Sequence, residues 1–325
     1  MNILDIEKAI AVLRQGGLVA FPTETVYGLG ADACNNEALQ KIFHAKGRPF
    51  GHPLIVHIAG VEQLPEWAKE VPSEAITLAH AFWPGPLTLI LKKAAYVSDV
   101  ITGGQETIGL RVPRHPVAQE LLYSFGSGIA APSANRFGHI SPTTADAVLE
   151  ELGKQIDLIL EGGQCEVGLE STILDLSSGQ PTILRPGFVT AEEIETILDR
   201  PVHHTRQQLP RVSGMMPIHY APETPATIIS SHSLGLYLQR LKPENLPLVC
   251  LARRHPVWQR NQLTWVIMPD KPKDYAHELY CVLRDLDKQG FKRILIEAVP
   301  EESAWDAIRD RLLRAAGGHV EKCVV

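Results

Sequence analysis

The sequence predicts an α/β protein in two parts: a mixed sheet with helices before about residue 205, and a small parallel α/β domain after residue 226. Three observations predict this. Short apolar runs are interleaved with helix-like stretches through the first 200 residues, without strict one-for-one alternation. Residues 205–226, TRQQLPRVSGMMPIHYAPETPA, then carry Pro, Gly and polar residues with no sustained periodicity, as a linker does. Beyond them strand-like and helix-like runs alternate regularly, the pattern of a parallel sheet.

Each element has a local reason. MNILDIEKAIAVLRQGG reads as an amphipathic helix stopped by glycines; it lacks a basic segment followed by an apolar core, so it is not read as a secretory signal. Strands are expected at Leu18–Phe21, Leu54–Ile58, Leu87–Leu91, Ile108–Val112, Gly128–Ala131, Leu158–Leu160, Thr172–Leu176 and Thr182–Leu184. Helices are expected at Asn36–Lys46, Ser73–Phe82, Pro116–Ser124, Thr143–Leu152 and Ala191–Asp199. The fourth opens on Thr143-Thr144 and the last on Thr190, hydroxyl side chains suited to an N-cap. After the linker, ATIIS, LPLVCLA, LTWVIMP and KRILIEA are strands, with helices at Tyr275–Lys288 and Ser303–Ala316.

A hydrophobic fraction of 45% and a charged fraction of 21% are those of a globular protein. The five cysteines form no CxxC pair, so neither a disulfide framework nor a zinc site is expected, and a reducing, cytoplasmic setting fits. Cys323 stands one place off a prenylation box. Net charge is -6, divided as -9 over residues 1–226 and +3 over residues 227–325. An acidic first part disfavours sequence-blind nucleic-acid binding. Cations within it are better read as local and site-specific, which favours small anionic ligands.

The densest cluster of such cations is Lys46, Arg48, His52 and His57. Pro49 and Pro53 stiffen the loop that carries it. Gly28-Leu29-Gly30-Ala31-Asp32-Ala33 matches a dinucleotide fingerprint, but the acidic residue due about twenty positions later is missing. The glycines are therefore read as a turn or a close backbone approach. No G-x-x-x-x-G-K-[ST] loop is present, and His44, His52 and His57 lack zinc-type spacing, so no metal site is expected. Ser133, in Ala131-Pro132-Ser133-Ala134-Asn135, is outside any G-x-S-x-G elbow. A hydroxyl and an amide on one turn suit hydrogen bonding to phosphate or adenine better than acyl transfer. Thr107, Gly109 and Arg111 share one strand face, opposite Ile108, Leu110 and Val112. Glu170-Ser171-Thr172 and Leu184-Arg185-Pro186-Gly187 add hydroxyls and another cation. Together these residues have the composition of a site for ATP and a small polar substrate.

The segments PTETVYGLG, KGRP with HPLIVH, TIGLRVP, APSAN, GLESTILDL and ILRPG resemble the YrdC/Sua5 family of threonylcarbamoyl-AMP synthases. Lys46 and Arg48 match its KxR signature, and Ser133 and Asn135 its SxN. The resemblance runs in order through residues 10–200. His219-Tyr220-Ala221-Pro222 and the domain after it match the longer, Sua5-type subgroup. The fold implied is a YrdC-like twisted, mixed, open sheet with a basic cavity (1–204), a linker or lid (205–226) and a small Rossmann-like parallel α/β domain (227–325).

The activity implied is synthesis of L-threonylcarbamoyl-AMP, pyrophosphate and water from L-threonine, bicarbonate and ATP, with Mg2+ carried on the phosphates. The product supplies t6A at tRNA position 37 through a separate transferase complex; neither stable tRNA binding nor a membrane is expected. By resemblance, threonine contacts fall on Thr25, His57, Arg111, Ala131 and Ser171. ATP contacts fall on Lys46, Arg48, His52, Thr107, Ser133, Asn135, Ser141, Arg185 and His219, with Lys46 and Arg48 catalytic. One departure stands out: Met215-Met216-Pro217-Ile218 replaces the basic residues the family usually carries before its His-Tyr-Ala-Pro. Met216 and Ile218 are expected to pack the lid by apolar contact instead. Two other readings stay open: an RNA-binding, ribosome-maturation YrdC-like protein, and carbamoyl-adenylate chemistry in hydrogenase maturation. The acylphosphatase-like and zinc-finger modules of the second are absent from the sequence.

Overall fold

A computed structural model describes residues 3–203, 210–241, 247–256 and 261–321. The start of the expected linker, residues 205–209, and Cys323 lie outside them. The chain divides into two compact units: Met1–Phe137 with Ser141–Met215, and Gly138–Ile140 with Met216–Val325. Among the described residues no helix is long and apolar enough to cross a membrane.

The first unit is built on a nine-stranded mixed sheet. Its strands are β1 (Val19–Phe21), β2 (Gly28–Asp32), β3 (Ile55–His57), β4 (Leu87–Lys92), β5 (Thr107–Arg111), β6 (Ile129–Ala130), β7 (Leu158–Ile159), β8 (Thr172–Asp175) and β9 (Thr182–Arg185). They run in the order β7-β1-β2-β6-β3-β5-β4-β8-β9. The helices are α1 (Ile3–Arg14), α2 (Asn36–Lys46), α3 (Leu64–Trp67), α4 (Ser73–Phe82), α5 (Asp99–Thr102), α6 (Pro116–Phe125), α7 (Ala145–Leu152) and α8 (Ala191–Leu198). One core cluster joins α2, α4 and the strand centres through residues such as Leu39, Phe43, Leu78, Leu89 and Leu110. A second holds α1 and α6 through Leu13, Leu121 and Phe21.

Local chemistry fixes the helix ends. Asn35 caps α2 by accepting from the backbone N–H groups of Glu37 and Ala38, and Gly47 closes it in the left-handed region at φ 58°. Thr144, and not Thr143, is the cap of α7, so that helix begins two residues later than expected. Thr190 forms a full capping box with Glu193. The largest local correction concerns Gly28–Asp32, which is a strand and not a turn. The close-approach reading is right: a Cβ at Gly30 would lie 2.8 Å from the Phe21 ring and 2.9 Å from Ile129.

The second unit has a five-stranded sheet, parallel throughout. Its strands are β10 (Ala226–Ile229), β11 (Leu248–Ala252), β12 (Leu263–Ile267), β13 (Arg293–Glu297) and β14 (Val320–Glu321), in the order β12-β11-β13-β10-β14. Its helices are α9 (Leu234–Arg240), α10 (Pro272–Asp287) and α11 (Asp306–Ala315). Arg311 of α11 has no exposed surface; it donates to Asp310 at 2.9 Å and lies 5.2 Å from the Tyr220 ring centre.

Candidate active site

The register of the first sheet places His57 beside Arg111, on parallel neighbours β3 and β5. Both side chains are buried. Arg111 donates from Nη2 to Oε1 of Glu24 at 2.6 Å, and Oε2 of Glu24 accepts from the backbone N–H of Arg114 at 2.8 Å. The His57 ring packs edge-on against Phe21, at 5.9 Å between centroids. Burial, and next the charge of Arg111, pull its pKa down to about 3; the backbone at Ile129 and Ile55 offsets only part of this. Its Nδ1 is buried with no hydrogen-bond partner. Beside this pair, Thr25 and Thr23 share a hydrogen bond of 2.8 Å in the turn after β1. Ala131 is buried just after β6.

A second group gathers at the C-terminus of α2. Lys46, its last residue, donates from Nζ to the carbonyls of Ser133 and Asn135, each at 2.5 Å. Burial, then the charge of Arg48, hold its pKa well below the ordinary lysine range, against a smaller opposing pull from Glu151. Asn135 donates from Nδ2 to the carbonyl of Arg136 at 2.7 Å. Arg48 donates from Nη2 to the Pro53 carbonyl at 3.0 Å and to Oγ of Ser213 at 3.2 Å, and lies 5.7 Å from the Phe137 ring centre. His52 packs edge-on against the same ring, at 5.3 Å. Its pKa is lowered by burial, then by Arg48 and Arg211.

Ser213 joins these residues to a third group. Arg185 donates from Nη1 to the Ser213 carbonyl at 3.2 Å, and from Nε and Nη2 to the Ser171 carbonyl at 3.1 and 2.9 Å. The Ser171 hydroxyl shares a 2.8 Å hydrogen bond with Thr88. Ser141, nearby in the sheet's connections, donates to Glu170 at 2.5 Å. Residues 211–213 thus form a strap: Arg211 donates from its guanidinium to the Gly103 carbonyl at 2.8 Å and from its backbone to Gln105 at 2.7 Å. Val212 enters an apolar cluster with Ile90, Ile173 and Leu184. Beneath the strap a small gap of about 10 Å³ is lined by Pro53, Thr107, Gly109 and Ser213, among others.

The first unit therefore brings together Lys46, Arg48, His52, Ser133 and Asn135 at one end, and joins Arg48 through Ser213 to Arg185 and Ser171. Thr107 lies under the strap, and the hydrogen bond from Tyr27 N–H to the Pro142 carbonyl ties the Thr25 turn to the Ser141 segment. His219 lies in the second unit, packed on Tyr220 at 4.1 Å. Sequence reasoning missed Glu24, Ser213 and Phe137. Glu24 stood inside PTETVYGLG, and a lone carboxylate before a buried cationic strand was its only available signal. Met216 and Ile218, expected to pack by apolar contact, are 39% and 62% exposed. The strap is held instead by Val212 and by hydrogen bonds, because Ser213 offers both an acceptor hydroxyl and a carbonyl to arginines.

Residues 11–187 match the Sua5/YciO/YrdC family model, described as "Telomere recombination", and residues 189–317 match that of the threonylcarbamoyl-AMP synthase C-terminal domain. A threonylcarbamoyl-AMP synthase of Pyrococcus abyssi is 38% identical over 328 residues, covering 98% of this chain and 95% of the relative. The chain belongs to the threonylcarbamoyl-AMP synthase family. A Bacillus subtilis synthase is 39% identical over 331 residues, covering 98% of this chain and 95% of its own. Among solved structures, P. abyssi Sua5 complexed with L-threonine matches this Sua5-type chain with a TM-score of 0.89 at 38% identity, over 97% of this chain and 95% of that one. Escherichia coli YciO matches 58% of it with a TM-score of 0.52 at 28% identity, over 92% of its own length.

Proposed function

We infer that this chain is an L-threonylcarbamoyladenylate synthase, converting L-threonine, bicarbonate and ATP into L-threonylcarbamoyl-AMP, pyrophosphate and water. The observations that support the residue assignment are the hydrogen bonds of Lys46 to Ser133 and Asn135, the link from Arg48 through Ser213 to Arg185 and Ser171, and the buried His57–Arg111 pair on neighbouring strands. Family membership supports the synthase reading over RNA binding.

In this reading threonine is held by Thr25, His57, Arg111, Ala131 and Ser171. The Arg111 guanidinium binds the substrate carboxylate by charge-assisted hydrogen bonds, roughly twice as strong as neutral ones, while Glu24 keeps the guanidinium in place. A depressed pKa leaves His57 neutral at physiological pH, with a ring nitrogen available to a polar substrate. The neutral threonine amine takes up CO2 derived from bicarbonate, releasing water. The carbamate oxygen then attacks the α-phosphorus of ATP, and pyrophosphate leaves with the electron pair of the broken P–O bond. No enzyme nucleophile is required.

Lys46, Arg48, His52, Thr107, Ser133, Asn135, Ser141 and Arg185 hold ATP; His219 is assigned to ATP by the resemblance alone. Lys46 and Arg48 are the catalytic cations, stabilising charge on the transferring and leaving phosphates. Because its ammonium is desolvated, Lys46 gains more from a bound polyanion than a surface lysine would. Mg2+ arrives on the phosphates, since the buried carboxylates Glu24 and Glu170 already hold Arg111 and Ser141. The product passes to a separate tRNA-modifying transferase complex, and the scattered free thiols support a cytoplasmic setting. Formation of an AMP adduct from ATP and labelled bicarbonate tests this directly. The adduct is expected with threonine and absent without it; label incorporation that ignores threonine would refute the reading.

A further inference from the structure

Outside this site, the second unit contains a cavity of about 190 Å³. One wall is apolar: Leu234 and Leu238 of α9 with Leu263 and Trp265 of β12. The other is polar, with Ser231 and His232 from the turn after β10, and Arg254 and His255 from the loop after β11. The topology gives this location a meaning. The chain leaves β11 for β12 on one side and leaves the adjacent β13 for β14 on the other. In open parallel sheets ligands bind outside the carboxyl ends of the strands; Ser231, His232, Arg254 and His255 follow the carboxyl ends of β10 and β11, beside that reversal, while Leu263 and Trp265 line the cavity from the start and middle of β12.

Arg254, at the carboxyl end of β11, is already positioned. It pairs with Glu297 of β13 at 3.0 Å and donates to the Ser231 carbonyl, while its own carbonyl accepts from the Trp265 indole at 2.8 Å. In the same turn, the Ser230 hydroxyl is buried without a hydrogen-bond partner. The polar wall therefore has donors to offer but little net charge, because Glu297 offsets Arg254. Hydrogen-bond donors with little net charge suit one phosphate group better than a triphosphate, whose charge they leave unneutralised. A flat ring fits the wall of Trp265 and leucines.

We propose that this cavity is a second nucleotide site, distinct from the active site, which takes a nucleoside monophosphate with its base against Trp265 and its phosphate at Arg254, His232 and His255. It does not depend on the reaction assigned to the first unit.

Amide exchange of the full chain, read by mass spectrometry with AMP, GMP, CMP, UMP or inorganic phosphate, tests it. At about ten times Kd, at least one nucleotide is expected to slow exchange by about tenfold in residues 230–238 and 251–256. Gly235→Leu fills the cavity from a position where an added Cβ meets nothing within 4 Å. That variant and His255→Ala are expected to lose this protection while keeping any protection at residues 44–57, and unchanged exchange in α10 shows that both have folded. No protection of the two segments by any nucleotide, equal protection by phosphate alone, or protection that survives both substitutions would each overturn the proposal.

Discussion

In the second unit, Arg311 is fully buried against the carboxylate of Asp310 and the ring of Tyr220. In the first, Lys46, Arg48 and Arg185 are buried on backbone carbonyls and on Ser213. Both arrangements satisfy donors, but they treat charge differently. A carboxylate neutralises the cation it holds, whereas a carbonyl dipole satisfies the N–H and leaves the charge to act on an incoming anion. Burial of a cation thus goes with a carboxylate at Arg311, and at Arg111 through Glu24, but with carbonyls at Lys46.

The largest effects test the two ends of that contrast. Arg311→Ala is expected to destabilise the second unit by about 2–5 kcal/mol through the cavity that a fully buried side chain leaves, since Arg314 still pairs with Asp310; faster amide exchange throughout α11 measures it, and unchanged exchange would break the comparison. Lys46→Met should do the opposite. It is expected to cut threonine-dependent pyrophosphate release by about 100-fold to 1,000-fold without lowering the urea midpoint, since a desolvated ammonium is exchanged for an apolar chain of similar size. A large loss of stability in this variant would reassign Lys46 to the scaffold.

Smaller effects sharpen the picture within the first unit. His57 has a folded pKa near 3, below its value of about 6.5 in an unfolded chain. Between those values the unfolded state binds the extra proton, so this contribution to stability is complete above about pH 6.5 and is lost as pH falls toward 3. His57→Gln should flatten that slope by up to about 1.4 kcal/mol per pH unit, as read from urea unfolding at pH 4, 5 and 6. The smallest change is expected from Ser213→Ala. It removes one hydrogen bond to Arg48, which is worth about 1.5–3 kcal/mol when the donor is charged and less for a partly exposed strap; calorimetric ATP titration should show tighter binding where Ser213 no longer competes.

How much of this was legible depends on sequence distance. Lys46 closes α2 and Arg48 follows two positions on, and Ser133 and Asn135 are two apart after β6, so local spacing exposed both groups, and hydroxyl caps marked the starts of α7 and α8. Nothing local joins Arg48 to Ser213, 165 positions away, or Arg111 to Glu24, 87 positions away. These contacts exist only once the sheet is assembled. Strand β2 was hidden for a related reason: glycines are poor strand formers in isolation, and here it is the Phe21 ring, supplied by β1, that requires Gly30. In the second unit, strongly apolar runs made β10 to β13 plain, while β14, two exposed residues, and helix α9, only Leu234–Arg240, were too short to show a period.

Ser213 also bears on how substitutions combine. Its hydroxyl accepts from Arg48 and its carbonyl from Arg185, so the two guanidiniums share one residue as a hinge pin. Groups that share a partner do not contribute independently. Removing Arg48 loosens what Arg185 holds, and the second loss then costs less than it would alone. The strap makes the two arginines a single thermodynamic unit, although they stand 137 positions apart in the chain.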